Sequence, residues 1–284
     1  MEKLNRLNDV FVKSLLGSND RKNLTLDFIN SILMREGKQK FHDLEFENTE
    51  FVSDKINGKK AIPDILAITE EGNMVHIEVQ VLRDKNIISR ILYYWSRIYG
   101  RQLDSSDSYG KLNPLISIIL LDFNIFSYND FHNSYHILND KTHDILTTQM
   151  ELHFIELKKV HFSDIKKIKK SEEWAAYLSP NINDKERRVI AMSNTAIKEA
   201  LDYEPRFLTN DKLRTAYTAE EKQFRDEISR RETALEEGRE EGIDKINQLN
   251  KILIEHNEYD ELKKATENKD YQRKLLIHYK LIEE

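Results

Sequence analysis

Two acids stand in strand-like surroundings, Asp64 within Pro63-Asp64-Ile65-Leu66 and Glu78 within Ile77-Glu78-Val79-Gln80. Between them lies Glu71-Gly72-Asn73, a turn sequence. A hairpin centred on Glu71 pairs Asp64 with Glu78 and Ile62 with Gln80, and a slip of one residue would undo this pairing. The strand period of two sets Glu78 and Gln80 on one face, leaving Ile65, Ala67, Val75, Ile77 and Val79 for the core beneath. Two carboxylates directly across a strand pair repel each other. A bound cation removes that penalty. The chemistry open to such a pair is phosphodiester hydrolysis, because a hard cation neutralises phosphoryl oxygens and makes water a competent nucleophile. Magnesium keeps several of its waters, so Asp64, Glu78 and the carbonyl of Val79 suffice as protein ligands, with Gln80 orienting water or phosphate. Spacing alone is common in a chain with 50 acidic residues. The Pro63 context and the apolar strands around both acids set this pair apart.

The residues that follow suit the same chemistry. Arg90, Tyr94, Arg97 and Arg101 recur at helical spacing as a basic, aromatic-edged face, opposite a buried stripe of Ile87, Ile91, Trp95 and Ile98. Such a face is suited to a phosphate backbone, although an ordinary solvent face reads the same way. Asp9 and Lys13 lie four apart on a predicted helix and by themselves read as a surface ion pair.

The elements that must position these groups show in the pattern of apolar residues. Residues 8–33 predict two short helices broken at Gly17-Ser18-Asn19-Asp20. Strands are expected at 44–53, 61–69 and 74–82, with Asn57-Gly58 as the first hairpin turn and Glu71-Gly72-Asn73 as the second. Asp84 is the expected cap of a helix over 85–102. The apolar run Leu115–Leu121 predicts a strand buried on both faces, with further short strands at 135–138 and 151–157. The sequence thus predicts an α/β fold with a mixed sheet and helices packed on it.

After Lys158 the character changes. Trp174, Ala175, Tyr177 and Leu178 suggest a helical packing unit, with another helix over 184–201. From Thr218 the chain is highly charged and predicts a solvated helical tail. The expected division is a core over 1–160, a helical packing unit over 161–217 and the tail over 218–284. Ile246, Leu249, Ile252 and Leu253 give the tail one apolar face, open to docking or to a homo-oligomer through the C-terminal helices.

Composition narrows the classes. The 284 residues contain no cysteine, which excludes disulfides, thiolate metal sites and cysteine nucleophiles, so any metal must bind oxygen or imidazole. No signal-peptide core and no window of membrane-spanning length occur, and the expectation is a soluble cytoplasmic protein with no membrane partner. A net charge of −6 counts against a surface that coats nucleic acid but leaves room for a local basic cleft.

Taken together, Asn8-Asp9-Val10-Phe11-Val12-Lys13, Pro63-Asp64-Ile65-Leu66, Ile77-Glu78-Val79-Gln80, the stretch from Arg90 to Tyr94, and Ile155-Glu156-Leu157 resemble the Rpn family of recombination-promoting nucleases. That family, often labelled transposases, belongs to the PD-(D/E)XK nuclease superfamily. Gly238 and Gly242 in the tail resemble its C-terminal pattern. The resemblance implies a restriction-endonuclease-like core of αβββαβ order with a helical C-terminal extension. It also implies magnesium-dependent cleavage of DNA, with manganese as a substitute ion, in recombination or defence against foreign DNA. Position by position, it makes Asp64 and Glu78 the metal-binding acids, puts Gln80 in the place of the superfamily lysine, and matches Asp9 to an acid of the first helix that approaches the metal. Glutamine lacks lysine's charge, so a second metal or a migrated cation must replace it, with Arg90 and Lys13 as candidates.

Three readings of the whole remain. A metal-dependent DNA endonuclease of low sequence preference leads, and a catalytically weak module of the same fold that binds DNA or protein is the alternative. Strand transfer is the third, but no separate domain for recognising DNA ends is apparent in the sequence. A further reading concerns a partner: Lys185-Glu186-Arg187-Arg188 ends three codons before Met192, the geometry of a ribosome-binding site if the arginines use purine-rich codons. An internal start there would release a C-terminal fragment, whereas ordinary helix codons before an ordinary methionine explain the same residues.

Overall fold

The computed structural model describes residues 4–35, 37–48 and 63–283. The Asn57-Gly58 turn, Ile62 and the second half of the strand expected over 44–53 lie outside those residues. The chain divides into two units, Met1–Glu220 and Glu221–Glu284.

The first unit opens with two helices, α1 (Asp9–Leu16) and α2 (Lys22–Ile32), as the break at Gly17 predicts. Then come β1 (Leu44–Phe46), β2 (Ile65–Thr69) and β3 (Met74–Gln80), the helix α3 (Ile87–Gly100), β4 (Leu115–Leu121), β5 (His132–Tyr135) and β6 (Met150–Glu156). Among the described residues the strands form one mixed sheet in the order β1-β2-β3-β4-β6-β5. β1, β2 and β3 are antiparallel neighbours, β3, β4 and β6 run parallel, and β5 returns antiparallel along the edge. Parallel neighbours need a crossover, which α3 provides between β3 and β4.

The register of the second hairpin matters most. Ile65 pairs with Ile77, Leu66 with His76 and Ala67 with Val75, and one further step sets Asp64 opposite Glu78. The turn depends on Gly72, whose φ of +83° is left-handed and favours glycine. Ile65, Ala67, Val75, Ile77 and Val79 lie in the main core with Phe11, Val12, Leu15 and Leu16 of α1 and Phe28 of α2. The opposite face of β4 and β6, Ile119, Leu121 and Phe154, packs with Ile87 and Ile91 of α3. All seven residues of β4 are buried, as a strand sandwiched between helices requires.

The helices α4 (Lys170–Leu178), α5 (Asp184–Ala191) and α6 (Thr195–Thr209) complete this unit. Trp174, Tyr177 and Phe207 share the main core with the sheet. The single helix expected over 184–201 is in fact two. Asn194 interrupts it, accepting from the N–H groups of Ala196 and Ile197 to start α6. The cap of α3 is Asn86, whereas Asp84, two residues earlier, accepts from the Asn86 N–H. β5 begins at His132, three residues ahead of the expected strand start.

A long helix, α7 (Asp211–Glu255), runs out of the first unit. The second unit holds its C-terminal part together with α8 (Tyr259–Glu267) and α9 (Lys269–His278). There Leu249, Leu253 and Ala265 are buried, so part of the tail's apolar face is covered by the chain itself. No helix among the described residues is long and apolar enough to cross a membrane.

Candidate metal centre

Asp64 sits where β2 begins, beside the C-terminal end of β3. Its Oδ2 accepts the Val79 N–H at 2.8 Å, so the side chain takes the next rung of the β2–β3 ladder. In a strand the N–H and C=O of one residue point to the same side. The carbonyl of Val79 therefore also faces Asp64. Only 14% of the Asp64 side chain is exposed. Burial, followed by the charges of Glu78 and Asp9, holds its carboxyl well above the usual range, against the pull of Lys13 and the Val79 N–H.

Glu78 is buried on the face of β3 that looks toward α3. Gln80 Nε2 donates to its Oε1 at 2.8 Å, and Arg90 Nη2 stands 3.6 Å from the same oxygen. The Oε2 lies 3.3 Å from His76 Nε2, and His76 Nδ1 lies 3.3 Å from the hydroxyl of Ser117 on β4. His76, Glu78 and Gln80 thus form one row at the strand period. The Gln80 amide is turned back onto Glu78.

From the other side α1 brings Asp9 and Lys13. Lys13 Nζ lies 2.7 Å from Asp9 Oδ2 and 3.1 Å from Asp64 Oδ1, and so bridges the helix to the hairpin. Burial depresses the ammonium, but Asp64 and then Asp9 more than reverse this and raise it above the usual lysine value. The helix is fixed at its start. Asn8 caps it by accepting from Phe11 N, while the Glu220 carboxylate takes the Asp9 and Val10 N–H groups at 2.9 and 3.0 Å.

The structure therefore brings together Asp9, Lys13, Asp64, Glu78, Val79, Gln80 and Arg90. Arg97 is exposed further along α3. Tyr94 departs from its expected place on the basic face: it is only 9% exposed, with its ring 6.4 Å from that of His76 and the Arg90 guanidinium 5.3 Å from its centroid. The helical stripe that enters the core is Ile87, Ile91, Tyr94 and Ile98, with Trp95 half-buried beside it. Sequence reasoning missed His76, although its place two residues before Glu78 was a signal. It also missed Glu220, for which no local signal exists. Glu156, part of the motif near β6, is fully buried; it accepts from Ile125 N and Phe126 N and pairs with Lys159, and so organises the loop beside β5.

The donors suit a hard cation. Two carboxylates and a main-chain carbonyl are all oxygen, the set magnesium favours when most of its ligands are waters. Among the described residues the buried Asp9 Oδ1 has no hydrogen-bond partner, and two acids, Asp9 and Asp64, flank the ammonium of Lys13 while Glu78 adds its charge beside Asp64. Among the described residues no three His, Asp or Glu side chains form a ready-made cage. The protein's share would thus be Asp64, Glu78 and the Val79 carbonyl.

A helix, a three-stranded meander carrying an acid pair, a crossover helix and a parallel strand make up the restriction-endonuclease-like fold of PD-(D/E)XK nucleases. The chain belongs to the PD-(D/E)XK nuclease family transposases, whose family model matches residues 6–234. The matched residues include Pro63-Asp64 and Glu78-Val79-Gln80. No curated protein and no solved structure matches the chain.

Proposed function

We propose that the protein is a divalent-metal-dependent DNA endonuclease of low sequence preference, working with magnesium or manganese in the cytoplasm, in recombination or defence against foreign DNA. The observation that carries this reading is the placement of Asp64, its side chain 14% exposed, and buried Glu78 against each other at the strand ends, with an excess of negative charge around Asp64. A bound divalent ion would polarise the scissile phosphate and lower the pKa of an attacking water. Asp64 and Glu78 would hold that ion. Gln80 and His76 fix the Glu78 carboxylate, one at each oxygen. Arg90, Arg97 and Arg101 line α3 with guanidinium groups suited to phosphates, contacts that carry no sequence information.

A second reading has its own observation in Gln80. Its amide is committed to Glu78 and carries no charge, which favours a module of this fold that binds DNA and cuts it feebly. Nicking of supercoiled plasmid separates the two, using wild type and Glu78→Ala with magnesium, calcium or chelator. The endonuclease reading expects nicking with magnesium alone and a loss of about 100-fold or more in the variant. Nicking that survives both chelator and substitution defeats it, and intact DNA binding without any nicking favours the module. Joined DNA ends among the products would instead indicate strand transfer.

A further inference from the structure

Three acids and two cations meet at the site, and Gln80 leaves open which cation serves the reaction. Arg90 already lies over the Tyr94 ring and beside Glu78. Lys13 is placed differently. Its ammonium stands between an acid of its own helix and the acid proposed to hold the metal, 2.7 Å from Asp9 Oδ2 and 3.1 Å from Asp64 Oδ1.

We infer that Lys13 is a displaceable internal counter-ion, which neutralises Asp64 while the site is free of metal and surrenders it when a divalent ion binds. This rests on the metal-dependent reading above and specifies how the site is held and loaded. An ammonium and a divalent ion drawing on the same carboxylate repel each other, so loading favours release of the lysine. The helix itself stays in place, since Phe11, Val12 and Leu15 are buried and Asn8 and Glu220 cap its first turn. The exchange is therefore confined to the lysine side chain, a flexible stem with 39% of its surface exposed.

Asp9 keeps hold of the released ammonium. Its Oδ2 is already engaged, and its buried Oδ1 has no hydrogen-bond partner among the described residues and so can take a second N–H when Asp64 is given up. Asp9 is on this view a positioning residue for Lys13. The tethered ammonium can then turn its remaining proton toward a phosphoryl oxygen of bound DNA, supplying the charge that glutamine cannot. The device makes Lys13 a competitor of the metal in the resting protein and an aid to the substrate in the loaded one.

These two roles predict opposite effects of a single change. In Lys13→Met the competitor is gone, so calcium and manganese, measured by titration calorimetry on the full chain, should bind about tenfold tighter. Magnesium-dependent nicking should nevertheless fall about 100-fold. A measurement on the wild type alone guards against misfolding of the variant: acetylation of Lys13, followed by mass spectrometry, should speed up severalfold when calcium saturates the site. Metal binding that is unchanged or weaker in Lys13→Met, or labelling of Lys13 indifferent to calcium, overturns the inference. If the wild type binds and nicks while either of those results is found, only the role of Lys13 fails; if the wild type neither binds metal nor nicks, the hydrolytic reading falls with it.

Discussion

Asp64 carries an energetic cost at the site. Its side chain lies largely out of solvent beside two other acids, and among the described residues one ammonium and one main-chain N–H compensate it. The folded chain keeps a proton on this carboxyl at pH values where the unfolded chain has released it. Unfolding then releases protons, so stability falls as pH rises from the ordinary carboxylate value of 3.8 through the raised one. At neutral pH the metal-free protein bears that penalty. Asp64→Asn should remove it, because the amide oxygen still accepts from Val79 and no charge is buried. We predict that the variant melts about 2–4 °C higher at pH 7 in chelator, equivalent to about 1 kcal/mol, with the gap closing toward pH 3.8. Calorimetric scans at both pH values check this, and a Tm at pH 7 that is unchanged or lower would show that Asp64 ionises without strain. The same substitution should abolish metal binding, as expected where stability is given up for function.

Among the elements, the β5–β6 pair at the sheet edge carries a different charge device. Glu151 can only accept, so His153 Nε2 donates to it at 2.8 Å, and His153 Nδ1 accepts from His132 Nε2 at 2.8 Å. In this arrangement the His132 ring faces a second imidazole across the Nε2–Nδ1 contact. Burial, and then the neighbouring His153, push His132 down to about 4. An unfolded histidine protonates near 6.5, so His132 contributes its full stability above that value and loses it as pH falls toward 4. Urea unfolding at pH 7 and pH 4.5 should show wild type losing about 1–2 kcal/mol more than His132→Gln, a figure reduced for the partial exposure of the ring. Equal losses would mean that His132 titrates normally in the fold. How far such elements can be read from sequence depends on the range of the forces that set them. The register of Asp64 and Glu78 was legible because a glycine turn and strict alternation specify it locally, and β4 because six apolar residues in a run of seven, broken only by Ser117, have no other home. The break at Asn194 was not, because the helical spacing of apolar residues continues across it and only the cap geometry ends α5. Tyr94 was misplaced because two overlapping stripes fit α3, and the packing against His76 decides between them. Glu220, 211 residues away from Asp9, could be found only in three dimensions.

For the whole chain, the decisive feature is how unevenly order is supported. The first unit has a continuous core, whereas residues 229–241 of α7 are exposed on every side. A helix that is polar all round rests on its own propensity and on side-chain pairs such as Glu227 with Arg231 at 2.7 Å and Glu241 with Lys245 at 2.6 Å. Exposed pairs of this kind contribute only a few tenths of a kcal/mol each. Gly238 and Gly242 work against them, each costing about 1 kcal/mol relative to alanine in a helix interior. A Cβ built at either position meets no atom within 4 Å, so alanine is accepted without clash. Local opening should therefore be easiest around these glycines, and proteolysis reads the population of the open form when reclosing is fast. We predict that Gly238→Ala combined with Gly242→Ala slows tryptic cleavage after Arg239 by about tenfold, while cleavage within the sheet region is unaffected. Timed digestion followed by mass spectrometry measures both rates in one experiment. If Arg239 is cut as fast in the double variant as in the wild type, the glycines do not set the weak point, and the stability of this stretch must come from contacts beyond its own helix.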